Sequence, residues 1–276
     1  MTPDDLQRIR ANVSRRVRRI EVFHDTSVGS VLVKRQRAPR PAWRYRLLNG
    51  FATLADLPLL RAVPAHGGTR AQQIEVTGLR QLAAAGVPVP RLLHVEADVI
   101  VQSHLGDQRL DLLLRRADAA QWWRRGLQTL VALHARRQCL SQAFARNFIA
   151  SGDKLVMIDF EDDPLEVMPL EQAQARDCLA YLHSSARVMF GPGTVQPSEA
   201  VDVLRAELAR EAAPVRELVA GTARRLRPVQ HLQAGNGRGW RRHSAIPQAA
   251  VALMRAADPS DYHSHEHDKV SHARHH

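Results

Sequence analysis

A chain of 276 residues with 45% hydrophobic content is long enough to bury a sizeable core, as one large domain or two closely packed units. It holds no apolar run near the roughly 18 residues that span a bilayer, and two cysteines, Cys139 and Cys178, give no disulfide framework. The formal net charge of +11 is uneven: residues 1–50 carry twelve Lys and Arg against four Asp and Glu, which suits an anionic partner such as nucleotide phosphate, anionic lipid or nucleic acid.

The opening MTPDDLQ is acidic and polar with no apolar h-region, so no secretory leader is expected, and with reduced cysteines this points to a cytoplasmic protein. RRIEVFH and VLVKRQ flank the turn DTSVGS and read as a hairpin with Lys34 on its second strand. Residues 38–66 are broken by Pro39, Pro41, Pro58 and Pro64. Within them Trp43, Leu47, Leu48 and Phe51 oppose arginines, the pattern of a short amphipathic helix suited to the inner face of the cytoplasmic membrane. Residues 69–85 read as a helix, with Ile74, Leu79 and Leu82 at helical spacing and Gly86 just past its end. VPVPRLLHVEADVIVQSHLG gives two short strands around the turn EAD. Residues 1–106 are thus expected to form a small strand-rich unit with one helix.

A short connector near residues 102–108 leads into a second unit, residues 107–256, that reads as mostly helical. DLLLRRADAAQWWRRGLQTLVALHARR gives two helices, the second with Trp123, Leu127, Leu130, Val131 and His134 on one face. NFIASGDKLVMIDF is a strand, a turn and a strand; LEQAQARDCLAYLHSSARVMF and residues 197–226 are helical. His134, on an apolar face, reads as a hydrogen-bonded core histidine. Residues 257–276 lack periodicity, hold six histidines and read as a disordered tail with at most adventitious metal binding. The fold class expected is α+β.

One stretch demands an explanation. The apolar strand Leu155–Ile158 runs into Asp159, Phe160, Glu161, Asp162 and Asp163, four carboxylates in five positions. Such clusters are costly near a core unless a cation is present. Mg²⁺ takes oxygen ligands and bridges to phosphates, so it is the natural cation; the competing reading is an acidic loop capping the next helix. Asn147 opens one strand of the hairpin and Asp159 closes the other. A turn centred on Asp153 sets them side by side, an amide oxygen and a carboxylate able to share one or two Mg²⁺ ions. A further pair, Lys34 on a strand and Glu75 on the next helix, would hold an ammonium where it meets nucleotide phosphates. The cluster is therefore read as a metal site.

In order and spacing these pieces resemble the protein-kinase-like superfamily, closest to its bacterial branch of lipopolysaccharide-core sugar kinases and small atypical kinases. VLVKR resembles the strand with the nucleotide-binding lysine, IEVTGLRQL the helix with its glutamate partner, and GVPVPRLL a phrase of kinase-like phosphotransferases. RNF and IDFED stand at the metal-binding Asn and Asp, and Asp177 in ARDCLAYL resembles the helical aspartate that buttresses the catalytic loop. The resemblance covers residues 16–190. It implies a two-lobed kinase-like fold, with ATP and Mg²⁺ as cofactors. Lys34, Glu75, Gln102 and His104 would bind the nucleotide, and Asn147 and Asp159 the metal. The acceptor would be a small molecule, sugar or lipid-linked group; with no nucleic-acid-binding signature in the chain, nucleic acid ranks last among partners. Two departures stand out. There is no G-x-G-x-x-G loop, only Gly29 and Ser30 in the first hairpin, so phosphate coverage is expected to be looser. Gln142 also occupies the position of the catalytic aspartate, and an amide cannot act as a general base. Glu161, Asp162 and Asp163 are the nearest carboxylates that could substitute. The alternative is a pseudokinase scaffold that binds nucleotide or partner proteins.

Overall fold

The computed structural model describes residues 1–13, 18–38, 59, 61–189 and 197–225. The amphipathic segment around Trp43–Phe51 and the His-rich tail lie outside the described residues.

Helix α1, Pro3–Val13, precedes the first hairpin. The sequence reading assigned no element here, although the signals are present: a proline at the first helical position, Asp4 and Asp5 in the first turn, and Leu6 and Ile9 at helical spacing. Strands β1, Ile20–Thr26, and β2, Gly29–Arg35, pair antiparallel, with Thr26 opposite Gly29 at the turn and Ile20 opposite Lys34 at the far end. Gly29 has φ +89°, which its lack of a Cβ permits. Helix α2, Gly68–Ala84, follows, then β3, Leu92–Val95, and β4, Val99–Ser103, in a sheet of order β1-β2-β4-β3.

Strand alternation divides this sheet into two faces. Val31, Val33, Val99 and Val101 are buried in a small core with Ile9 of α1. Leu32, Lys34, Ile100 and Gln102 take the opposite face, where Lys34 meets Glu75 of α2. α2 is tied to the sheet by Gln72, which accepts from Gln36 (2.8 Å) and donates to the Glu96 carbonyl (2.5 Å). Its Leu79 and Leu82 belong to the larger core of the helical part, so α2 links that core to the sheet through the polar contacts of Gln72 and Glu75.

The helical part comprises α3, Leu110–Leu113; α4, Ala119–Ala135; α5, Leu170–Met189; α6, Pro197–Leu208; and α7, Ala213–Arg225. The stretch expected as helix over 197–226 is therefore two helices, interrupted at residues 209–212. There Arg216 Nη1 donates to the Ala209 (3.3 Å) and Glu211 (2.6 Å) carbonyls, which have no intrahelical partner. The hairpin β5, Phe148–Ser151, and β6, Lys154–Met157, packs on α4 and α5 through Phe148, which meets Tyr181 edge to face at 5.8 Å. The whole is an α+β fold, and no described helix is long and apolar enough to cross a membrane.

Gly126 of α4 is where Tyr181 crosses. A Cβ there would lie 2.0 Å from the Tyr181 hydroxyl oxygen, and that fully buried hydroxyl donates to the Trp123 carbonyl at 2.8 Å. In an open helix Gly→Ala would stabilise by about 1 kcal/mol. Here the overpacking, about 1–3 kcal/mol, and the displaced hydroxyl should outweigh that gain. Gly126→Ala is expected to lower the urea midpoint; a midpoint at or above the parent's would contradict the contact.

Candidate functional site

Between the Lys34 face of the sheet and the β5–β6 hairpin lies a cleft of about 640 Å³, lined by Lys34, Gln102, His104, Asn147 and Asp159 among others. Lys34 is 6% exposed, and its ammonium meets three carboxylates: Glu75 Oε1 at 2.7 Å, Glu161 Oε1 at 3.1 Å and Asp159 Oδ1 at 3.5 Å. Burial alone would lower its pKa, but attraction to Glu75, Asp159 and Glu161 outweighs burial and raises it, so the group is a fixed cation. Glu75 sits behind Lys34 in a small recess, not in the open cleft.

The four clustered carboxylates do not form one site. Asp159 faces the cleft. Glu161 is buried and takes Arg19, Arg37 Nη1 (3.0 Å) and Lys34; burial would raise its pKa, but Lys34 and Arg19 hold it below the usual range. Asp162 accepts from Gln142 Nε2 at 2.7 Å and lies 3.8 Å from Arg37, with burial pushing its pKa up. Asp163 caps the 3-10 turn Pro164–Glu166 by accepting from the Leu165 amide at 2.9 Å. The reading of the whole cluster as a metal site is thus corrected: arginines and a lysine balance its middle, its last member is a cap, and Asp159 is the one member that lines this cleft.

Asn147 and Asp159 reach the same cleft by a different route from the one expected. The turn is centred between Gly152 and Asp153, so Asn147 opposes Ile158, whose amide donates to the Asn147 carbonyl at 2.9 Å. Strict alternation would turn residues 158 and 159 to opposite faces. Asp159, however, has φ +73°, a left-handed conformation that short polar residues tolerate, and both residues line the cleft. The next residue, Phe160, is buried against Gly78 of α2. Asn147 Nδ2 donates to the Gln142 carbonyl at 2.9 Å.

Gln142 itself does not line the cleft; its amide turns to Asp162. The loop that carries it is anchored from below. Asp177 Oδ2 of α5 accepts from the Leu140 amide at 2.5 Å and lies 3.5 Å from His134 Nε2. His134 Nδ1 meets Glu211 Oε1 at 2.7 Å, and the Cys178 thiol lies 4.0 Å from the same oxygen. Those three side chains could in principle hold a metal, but a 2.7 Å contact is an ordinary hydrogen bond, which is what a core histidine between two carboxylates makes.

Gln102 is buried at the cleft wall, with its Oε1 unpartnered among the described residues. His104 donates its backbone amide to the Ser30 carbonyl at 3.0 Å, and its ring lies 3.4 Å from Asp107. That contact fixes a second correction. The Gly29–Ser30 turn sits beside His104, four to five residues along β2 from Lys34, or about 13–17 Å at 3.3 Å per residue. It does not cover the Lys34 end of the cleft. Sequence reasoning missed Arg19 and Arg37, the cations that balance Glu161. The available signal was physical necessity: a buried carboxylate after a strand requires a partner, and the strand edges around Lys34 are rich in arginine.

No protein-family profile matches the chain, and no curated protein matches its sequence.

The His134 charge should register in stability. Burial would lower its pKa, but the nearby Asp177, Cys178 and Glu211 raise it well above 6.5. Because the folded-state value exceeds the unfolded one, the stabilisation is complete below about pH 6.5 and fades as pH rises toward the folded value. His134→Gln should therefore cost more stability at pH 6 than at pH 9 in denaturant titrations; equal penalties at both pH values would show that the imidazole is neutral.

Proposed function

We propose that the chain is an ATP- and Mg²⁺-dependent phosphotransferase with a two-lobed, protein-kinase-like arrangement, acting on a small molecule, sugar or lipid-linked acceptor. The observation that carries this reading is the buried Lys34 ammonium, held by Glu75 and aimed with Asp159 at a cleft that Asn147 also lines. A lysine fixed in this way offers a localised positive charge for phosphate oxygens. Asn147 and Asp159 supply the oxygen donors that Mg²⁺ prefers, and the bond from Asn147 Nδ2 to the Gln142 carbonyl leaves its Oδ1 for a ligand. Bound Mg²⁺ would bridge phosphate oxygens and neutralise their charge. Gln102 Oε1, buried and unpartnered at the cleft wall, is an acceptor suited to a nucleobase amino group.

Phosphoryl transfer depends chiefly on positioning and charge neutralisation, so a missing base is not fatal to it. Of the three carboxylates near Gln142, Glu161 is held ionised by its cations and Asp163 is a cap. Asp162 alone combines a raised pKa, direct contact with Gln142 and an Oδ1 with no hydrogen bond among the described residues. The second reading, a pseudokinase that binds nucleotide without turnover, is favoured by the same Gln142 geometry, since the amide is engaged by Asp162 and does not line the cleft.

ATP with Mg²⁺ should raise the melting temperature by mass action, and Asp159→Asn, which keeps the backbone conformation, should abolish the rise. Absence of any shift at millimolar ATP with Mg²⁺ refutes the nucleotide reading. In a turnover assay, Gln142→Asp should keep or raise the rate, and Gln142→Ala should lower it by less than the roughly 10²–10⁴-fold a general base supplies. Nucleotide binding by the parent protein without hydrolysis or transfer in a broad acceptor screen would favour the pseudokinase.

A further inference from the structure

We propose that Arg19, in place of a glycine-rich turn, is the side chain that grips the phosphate chain of a nucleotide in this cleft, exchanging Glu161 for the phosphate when it does so. This rests on the nucleotide reading above. Arg19 immediately precedes β1, and its carbonyl accepts from the Arg35 amide at 2.8 Å, which fixes it beside the Lys34 end of β2. It lines the open cleft as Lys34 does, whereas the Gly29–Ser30 turn is at the other end of the strand. Its side chain is 34% exposed and pairs with Glu161, while its Nε is buried without a hydrogen-bond partner.

Glu161 does not depend on Arg19 alone. Arg37 at 3.0 Å and Lys34 at 3.1 Å also hold it, and both are more buried than Arg19. Arg19 can therefore turn to an incoming anion while Glu161 keeps its contacts with Arg37 and Lys34. The guanidinium presents several N–H donors in a planar fork that matches phosphate oxygens. A side chain can thus do here what backbone amides do in a glycine-rich loop. Glu161, in the recess behind Lys34, is the anion that Arg19 now holds, and a phosphate in the cleft would replace it at Arg19 alone.

The test is calorimetric titration of the full chain with ATP, ADP and adenosine in Mg²⁺, for the parent protein and Arg19→Ala. Arg19→Ala should weaken ATP by more than about tenfold, the scale of one charge-assisted hydrogen bond, and leave adenosine within about twofold. A purely structural role would weaken both alike, and that result, or unchanged ATP affinity, overturns the assignment while leaving the nucleotide reading intact. A parent protein that binds none of the three overturns both. If Arg19→Ala melts early, Arg19→Lys keeps a charge on Glu161 and carries the same comparison: ATP should weaken several-fold with adenosine unchanged.

Discussion

A lysine ammonium with almost no access to water must find oxygen for its N–H bonds, and the partners of Lys34 organise this molecule. They lie on α2, through Glu75, and on the stretch after β6, through Asp159 and Glu161. One cation thus ties the central strand of the sheet to the helix behind it and to the hairpin across the cleft. Removing one partner from such a buried arrangement typically costs about 3–5 kcal/mol, because the remaining charge is left uncompensated. The apolar packing follows the same geometry: α2 presents Glu75 to Lys34 and, one and two turns on, Leu79 and Leu82 to the helical core.

The charge arithmetic of the cleft differs from what a row of four acids suggests. Carboxylates that would repel each other in isolation are turned apart by the left-handed backbone at Asp159 and share cations, Lys34 between Asp159 and Glu161 and Arg37 between Glu161 and Asp162. Glu161 receives three, Asp162 an arginine and an amide, and Asp163 a backbone N–H. Lys34 and Arg37 thus serve as internal counter-charge for buried acids, and the chain's net excess of +11 lies elsewhere.

Much of this architecture was legible in the sequence because it is written in short-range signals. The strands and α2 follow from period and punctuation, and the Lys34–Glu75 pair from their placement on consecutive elements. The misreadings share a cause, since each concerned a distance that only three-dimensional register supplies. The Gly29–Ser30 turn belongs to the right hairpin but the wrong end of it. The offset of one residue between Asn147 and Asp159 is invisible without knowing that the turn centre falls between Gly152 and Asp153. Arg19 and Arg37 are 142 and 124 residues from Glu161, and no periodicity links positions so far apart. Helix α1 was missed for the opposite reason: its signals are local but weak, with a narrow apolar stripe in a charged segment.

The left-handed backbone at Asp159 has a consequence for how this cleft could change over generations. Side chains other than Gly, Asn and Asp are disfavoured at such dihedral angles, so a substitution to a larger or branched residue disturbs the turn that seats Phe160 under α2 as well as the charge. Drift toward a silent cleft is therefore channelled. Sequences descended from this one that lose the carboxylate should carry asparagine or glycine at this position far more often than alanine or valine, and a survivor with asparagine would keep its shape while having lost its charge.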